Sequence, residues 1–340
     1  MVSVLLSGGI DSLVAAYLLK QSYPRVSGIY LRTGYNDLSD RDVRAVSDRV
    51  DIPVEVIDCR REFKAGVVDY FTRSYLAGET PNPCLRCNPH IKFRIGLAHA
   101  LNRGADFVAS GHYCRTDASS PGGQLLKGVD PAKDQSYFLA FLSPEQLARI
   151  RFPVGHMTKK AVIALAGELG LAPVRSGESQ DVCFIRPQES YGDFIARQID
   201  PPPGPGIIED LDGNVIGRHD GVHLFTVGQR RGINCPAAAP YYVAAIDVEQ
   251  NRIRVGFRAD LLTAHCRLRE VNRISPLPAD DFSCAVKVRY QHHAIPARVT
   301  LLPDDRAGIT FDRPQFGVAP GQGAVFYQGD TVLGGGIICG

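Results

Sequence analysis

Apolar positions follow two rhythms along this chain, one over roughly its first two hundred residues and another beyond them. Short apolar runs of strand length lie at Val4-Leu5-Leu6, Val26 to Leu31, Pro53 to Ile57 and Asp106 to Ser110. Between them, apolar residues recur at helical spacing in Leu13 to Leu19, Phe63 to Leu76, Ile91 to Leu101, Lys159 to Leu169 and Tyr191 to Ile199. Ser39 followed three residues later by Asp42 predicts a capping box, and Gly170 predicts the end of the helix that starts at Lys159. Strands that alternate with helices predict an α/β fold with a doubly wound parallel sheet, whose ligands bind at the carboxyl ends of its strands.

The rhythm changes at Pro201-Pro202-Pro203-Gly204-Pro205-Gly206, a stiff segment of the kind that separates domains. Beyond it, Leu211-Asp212-Gly213-Asn214 has turn chemistry, and Tyr241 to Val248 is set to pair with Arg252 to Val255 across Gln250-Asn251. Further strand patterns at Ala285 to Tyr290, Ala297 to Leu302, Ala307 to Phe311 and Ala324 to Tyr327 predict a small C-terminal β-barrel. The chain has 340 residues, more than one domain usually holds. The expected division is 1–200 for the α/β domain, 201–265 for a small β-rich central domain and 266–340 for the barrel.

Composition narrows the class without naming a function. Hydrophobic residues make up 44% and charged residues 22% of the chain, the balance of a soluble globular protein. A net charge of +2 leaves room for a local basic face without requiring one. No apolar run approaches the roughly 18 residues of a membrane span, and the first residues lack a leader pattern, so a cytoplasmic protein with no membrane partner is expected. Nine cysteines, an odd number spread over a long chain, favour catalytic, metal-binding or buried thiols over a disulfide framework.

The first candidate site follows the first strand. Leu6-Ser7-Gly8-Gly9-Ile10-Asp11-Ser12 reads as strand end, tight loop and helix start. Two glycines let the backbone approach a ligand, and the helix start favours an anion such as phosphate. The loop has no Lys and does not match the Walker pattern, which argues against γ-phosphate transfer. Asp11 would repel a phosphate unless a cation lay between them, so it points to Mg2+ bridging to a nucleotide.

The second candidate is Gly78-Glu79-Thr80-Pro81-Asn82-Pro83-Cys84-Leu85-Arg86-Cys87-Asn88, with Lys92 and Arg94 close behind. Basic neighbours favour the thiolate, which is the nucleophile. The C-x-x-C spacing alone fits a redox pair, half of a metal site, or two small loop residues. Farther on, Ser179-Gln180-Asp181-Val182-Cys183-Phe184-Ile185 places one cysteine in an apolar, strand-like run, where a small buried side chain is the ordinary expectation.

Taken together, these blocks carry a resemblance. Ser7 to Ser12 resembles the SGGxDS loop of the PP-loop ATP pyrophosphatases. In order along the chain follow Thr80 to Asn88, Ile91-Lys92-Phe93, Ser110-Gly111-His112-Tyr113, Lys133 to Leu139, Phe152 to Gly155, Asp181 to Ile185, Gly228 to Gly232, Val288-Arg289-Tyr290 and Pro320 to Gly336. The series resembles the bacterial tRNA-specific 2-thiouridylase family over nearly the whole chain.

That resemblance implies an enzyme that uses ATP with Mg2+ to adenylate the C2 oxygen of the wobble uridine 34 of tRNA, after which sulfur displaces AMP. It implies nucleotide contacts from Leu6, Ser7, Gly8, Gly9, Asp11, Ser12, Leu31 and Gly111. Cys183 matches the family cysteine that carries the persulfide, and Cys87 the one that forms a disulfide with it as sulfur leaves. Asn82, Pro83 and Cys84 would face the target base. His112, Lys133, Asp134, Gln135, Arg289, Tyr290 and Gln322 would contact tRNA. Substrates would be tRNAs of the Lys, Glu and Gln type, and the sulfur donor a cysteine desulfurase or a relay protein. Many members carry Asp where this chain has Cys84, and that Asp is a candidate acid/base. Cys84, Cys87 and Cys183 are also enough ligands for a [4Fe-4S] cluster with one open iron, an alternative route to the same thiolation. Another PP-loop ligase or amidotransferase is the competing enzyme class.

Overall fold

The computed structural model describes residues 1–117, 123–174 and 182–339. Its N-terminal half contains β1 (Val2–Leu5), α1 (Ile10–Ser22), β2 (Val26–Arg32), α2 (Asp40–Val50), β3 (Val54–Asp58), α3 (Arg60–Phe63), α4 (Asp69–Leu76), α5 (Cys84–Cys87), α6 (Phe93–Asn102), β4 (Phe107–Ser110), β5 (Cys114–Asp117), β6 (Gln124–Lys127), α7 (Pro144–Ala148), β7 (Ile150–Arg151), α8 (Lys159–Glu168) and α9 (Tyr191–Gln198). Five strands form a parallel sheet in the order β3-β2-β1-β4-β7. Val2, Ser3 and Val4 of β1, whose side chains alternate between the two faces, are all buried, as expected for a strand covered on both faces. The chain leaves β1 toward β2 and later returns to β4 on its other side. This places the topological switch, where such folds bind ligands, between the loops that follow β1 and β4. Ser39 caps α2 by a capping box with Asp42.

The helical stretches around the cysteine loop are less regular than their spacing implies. A π-helical turn, Lys64–Val68, joins α3 to α4, and a second, Asn88–Lys92, joins α5 to α6. Pro89 lies in the second turn, where its missing N–H and its ring oppose tight α-helical bonding. The stretch expected to be strand-like around Cys183 also differs. Val182 to Ile185 forms turns, with the amide of Ile185 donating to the carbonyl of Val182 at 3.3 Å. Val182, Phe184 and Ile185 are all buried while Cys183 is exposed, a pattern that strand alternation does not produce. Ser179, Gln180 and Asp181 lie outside the described residues.

Beyond the proline-rich segment, β8 (Gly206–Glu209), β9 (Val215–His219), β10 (Tyr242–Asp247) and β11 (Arg252–Gly256) form a four-stranded sheet in the order β10-β11-β8-β9. Ile208, Val222, Phe225, Val243, Ile253 and Val255 fill its core. The last unit contains β12 (Leu262–Arg273), β13 (Asp281–Lys287), β14 (Ile295–Leu302), β15 (Arg306–Phe316), β16 (Gly323–Gln328) and β17 (Thr331–Cys339). These run in the order β12-β15-β14-β13-β16-β17, and pairing of β12 with β17 closes a six-stranded barrel. Closure leaves no free edge in the ring.

Strand pairing and a shared core are among the features that join the barrel to the N-terminal half. The β5–β6 hairpin, which the apolar pattern did not announce, pairs with β17 through Thr331 opposite Leu126 and Val332 opposite Leu125. One hydrophobic core runs through both units and includes Leu125, Tyr137, Leu139, Phe152, Val325, Tyr327 and Ile337. No described helix is long and apolar enough to cross a membrane.

Candidate active site

The loop after β1 is shaped by its glycines and serines. Gly8 has φ of 78°, and a Cβ there would lie 2.8 Å from Leu38 Cδ1. Gly9 occupies the N-cap of α1 and supplies no side-chain cap, which leaves that helix start suited to an incoming anion; its own amide makes a long 3.4 Å hydrogen bond to Ser7 Oγ. Ser12 Oγ donates to the carbonyl of Gly9 at 2.8 Å and accepts from the amide of Ser7 at 3.3 Å. Leu6 is buried beneath the loop, Ser7 is exposed, and Leu31 at the end of β2 is half-buried.

Asp11 has two partners that sequence reasoning missed. Lys159 Nζ, at the start of α8, lies 2.7 and 2.9 Å from its two carboxylate oxygens. The Tyr113 hydroxyl donates to Asp11 Oδ1 at 2.6 Å. Gly111 lies directly against the same helix start: a Cβ there would meet Asp11 C and Ser12 N at 2.8 Å. The glycine expected to line the nucleotide pocket therefore also lets the ends of β4 and α1 come together.

A line of contacts leads from this loop to the thiols. His112 follows Gly111; its Nδ1 lies 2.8 Å from Ser110 Oγ and its Nε2 3.5 Å from Lys92 Nζ. Burial, and then the Lys92 charge, holds His112 well below the usual imidazole range. Lys92 is also the cation acting on Cys87. Its effect is outweighed, because burial raises the Cys87 thiol above its ordinary value, with Cys183, Cys84 and Cys59 adding to the rise. The expectation that basic neighbours favour the Cys87 thiolate is therefore reversed: desolvation of the charged form dominates. Cys59, unnoticed in the sequence, is fully buried, and burial pushes its thiol up to about 12.

Cys87 belongs to a cluster with Phe63, Phe71, Tyr75, Ile91, Val182, Phe184 and Ile185. That cluster brings the Cys183 segment onto the C-x-x-C helix. Cys183 itself is exposed, and Asn36 Nδ2 donates to its carbonyl at 2.8 Å. All nine cysteines are in the thiol form. Among the described residues no group of three or more His, Cys, Asp or Glu side chains is placed to hold a metal ion, so the iron-sulfur ligand set finds no support in this geometry.

The residues expected to face tRNA have varied surroundings. Asn82 Oδ1 accepts from the Cys84 amide at 3.1 Å, and Pro83 is buried. Asp134 is buried and accepts from the amides of Gly128 and Ser136 and the Ser136 hydroxyl, which makes it a turn former. Gln135 Oε1 accepts from the Tyr113 amide at 3.0 Å, while Lys133 is half-exposed. Arg289 donates to the carbonyls of Val227 and Gly317 between the central domain and the barrel. The Tyr290 ring lies 4.3 Å from that of Phe138. Gln322 Nε2 donates to the Thr80 carbonyl at 2.8 Å, inside the cysteine loop.

Three domain families match in succession: the tRNA methyl transferase HUP domain over residues 1–187, the tRNA methyl transferase PRC-barrel domain over 192–257, and the aminomethyltransferase β-barrel domain over 263–338. The tRNA-specific 2-thiouridylase MnmA of Desulfosudis oleivorans is 56% identical over 340 residues, spanning 99% of this chain and 94% of its own. The chain belongs to the tRNA-specific 2-thiouridylase family. Its relatives include the 2-thiouridylases MnmA of Rhodospirillum centenum, 45% identical over 99% of this chain and 91% of that protein, and of Geotalea uraniireducens, 43% identical over 99% and 94%. The 2-thiouridylases are tRNA-modifying sulfurtransferases, and the chain is an enzyme of that class. Within it, the loop after β1 is the PP-loop of the HUP domain, and the two cysteine segments meet on the same unit.

Proposed function

We propose that this protein transfers sulfur to C2 of the wobble uridine 34 of tRNA in an ATP-dependent reaction. The observation that carries the reading is the run from Asp11 through Gly111 and His112 to Lys92, the cation that acts on Cys87, with the residues flanking Cys183 packed in the Cys87 cluster. It joins an anion-binding loop to a pair of thiols, one exposed and one buried.

The loop fits a nucleotide triphosphate. Its helix start is free of a side-chain cap, and Lys159 supplies the cation that the loop sequence lacks. Asp11 and Ser12 offer the hard oxygen donors suited to Mg2+, which when bound would neutralise charge on the departing pyrophosphate. Uridine C2 is a poor electrophile with a poor leaving oxygen. Transfer of AMP to that oxygen makes it a leaving group, and Lys159 and the loop amides hold the phosphates in line.

Cys183 is the exposed residue, accessible to a sulfur donor, and carries sulfur as a persulfide. Its outer sulfur forms the new bond to C2, and AMP leaves with the C2 oxygen. Cys87 attacks Cys183 Sγ, the S–S bond of the persulfide breaks toward the transferred sulfur, and a Cys87–Cys183 disulfide remains for an external thiol to reduce. Burial keeps Cys87 protonated until that step, which guards it against premature oxidation. Asn82, Pro83 and Cys84 face the target base, which must leave the anticodon stack to be reached. With Cys84 at the position of a family Asp, the acid/base function passes to another group of the pocket, and His112 on Lys92 is the nearest imidazole on the contact line.

The test is reconstitution of the purified protein with ATP, unmodified tRNA and a persulfide-generating desulfurase, read by mass spectrometry of the digested nucleosides. 2-Thiouridine that requires both ATP and Cys183 supports the proposal. Wild-type protein that releases AMP without thiolating tRNA would point to a ligase or amidotransferase instead.

A further inference from the structure

The segment that carries Cys84 and Cys87 is gripped by the barrel more tightly than a passing loop requires. Arg269 of β12 makes two hydrogen bonds to the Glu79 carboxylate, both at 2.8 Å. The next residue, Glu270, pairs with Arg86, which lies between the two cysteines, and the Arg86 guanidinium sits 4.7 Å above the Tyr70 ring. Between these ion pairs the Thr80 amide donates to the Pro320 carbonyl at 2.7 Å, and Gln322 Nε2 donates to the Thr80 carbonyl. Thr80 thus has both backbone groups bonded to the barrel. The fit is close: a Cβ on Gly321 would lie 2.8 Å from the Thr80 nitrogen, and one on Gly323 would lie 2.5 Å from Leu85 Cδ1.

The barrel strand is distorted where it makes these contacts. The register of β12 against β17 shifts between Arg269 and Asn272, and Glu270 has φ of 54°. A non-glycine residue keeps such a conformation only where its surroundings enforce it, and bulges re-aim side chains near functional sites. Here the bulge turns two consecutive charged side chains, Arg269 and Glu270, onto opposite-charge partners on either side of Thr80.

We infer that the C-terminal barrel positions the Cys84–Cys87 segment through a clamp in which Arg269, Glu270 and Gln322 hold Glu79, Arg86 and Thr80. The inference rests on the thiol chemistry proposed above and adds to it: Arg269, Glu270 and Gln322 are positioning residues, and the barrel is part of the sulfur-transfer machinery. A misplacement of about 1 Å at reacting atoms lowers rates by about a hundredfold, so the clamp controls turnover without touching substrate.

The experiment compares wild type, Arg269→Glu, Glu79→Arg and the charge-swapped double variant E79R/R269E, with Arg269→Gln as a milder variant should the reversals not fold. Each is assayed for single-turnover thiolation, ATP-dependent pyrophosphate release, tRNA affinity by filter binding, and iodoacetamide labelling of Cys87 by peptide mass spectrometry. The expected result is at least a tenfold loss of thiolation in each single variant, unchanged tRNA affinity and pyrophosphate release, faster Cys87 labelling, and recovery of both properties in the swap. Loss of tRNA affinity in step with thiolation would overturn the inference by making Arg269 a phosphate contact. Failure of the swap to restore Cys87 protection would overturn it as well. If wild type itself does not thiolate tRNA, the proposed function fails, and the labelling comparison alone still decides whether the clamp exists.

Discussion

Lys159 and Asp11 are 148 residues apart in sequence, yet the lysine ammonium reaches both oxygens of the carboxylate, at 2.7 and 2.9 Å. The PP-loop lacks the lysine of a Walker loop, and α8 delivers one in space. Lys159 also has its backbone amide bonded to Asp130 Oδ2 at 2.9 Å, which fixes the helix start from which its side chain reaches. Lys159→Ala is expected to lower ATP-dependent pyrophosphate release by about 10²- to 10³-fold, the range for removal of one preorganised charge, with tRNA affinity kept. Lys159→Arg should recover part of the rate. Wild-type pyrophosphate release from Lys159→Ala would remove the lysine from the nucleotide site.

The difference in exposure between Cys183 and Cys87 predicts ordered chemical reactivity. Iodoacetamide at neutral pH should modify Cys183 first, and Cys87 only slowly until the protein is unfolded. The folded Cys87 thiol has a raised pKa, so the unfolded state loses its proton first as pH rises. That residue's contribution to stability is therefore complete below the ordinary thiol range and declines as pH climbs through and above it. Time-resolved labelling followed by peptide mapping checks the order, and equal rates at the two cysteines would contradict it.

Particular residues show what the sequence made legible. The loop of Ser7 to Ser12, the alternation of strand and helix and barrel strands β13 to β16 follow from local pattern, because a parallel strand is apolar throughout and a tight turn needs glycine; β12 and β17, whose pairing closes the ring, did not stand out in it. The Asp11–Lys159 pair was invisible, since nothing local in either segment refers to the other. Cys87 was misjudged in charge state because its neighbours in sequence are basic while its neighbours in space are Phe63, Phe71 and Phe184. Arg289 shows the same limit: its guanidinium is spent on the carbonyls of Val227 and Gly317, a burial that a strand pattern does not announce.

Acid should destabilise the central domain. Burial holds His219 and His223 below the ordinary imidazole value; His223 also lowers His219, whereas His223 itself is lowered by burial alone. Unfolded histidine binds a proton near pH 6.5, whereas the folded groups resist it. Their stabilising effect is full above about pH 6.5 and is lost as pH falls below it. His90, His112 and His292 are shifted in the same direction and add to the slope. His223 Nδ1 has no hydrogen-bond partner among the described residues, so His223→Leu should leave the neutral-pH melting temperature nearly unchanged and flatten its fall between pH 7 and pH 5. Calorimetric scans across that range test the prediction; an unchanged slope would show that His223 takes no part.

Gly111→Ala should separate the packing role of this glycine from simple pocket lining. The added Cβ would lie 2.8 Å from Asp11 C and Ser12 N and 2.9 Å from Asp11 O. All three are backbone atoms, which cannot rotate aside as a flexible side chain can, so α1 and β4 must move apart. Overpacking of this kind costs about 1–3 kcal/mol. The displacement would also shift Asp11 relative to Lys159 and Tyr113, so pyrophosphate release should fall by at least about a hundredfold while tRNA affinity is retained. Gly167→Ala is the matched control, because Gly167 lies within α8 with nothing within 4 Å of its added Cβ. It should gain about 0.5–1 kcal/mol from better helix propensity and keep full activity. Melting temperatures and pyrophosphate release of the two variants, measured side by side, decide the point: wild-type behaviour of Gly111→Ala on both would show that the ends of β4 and α1 need not touch.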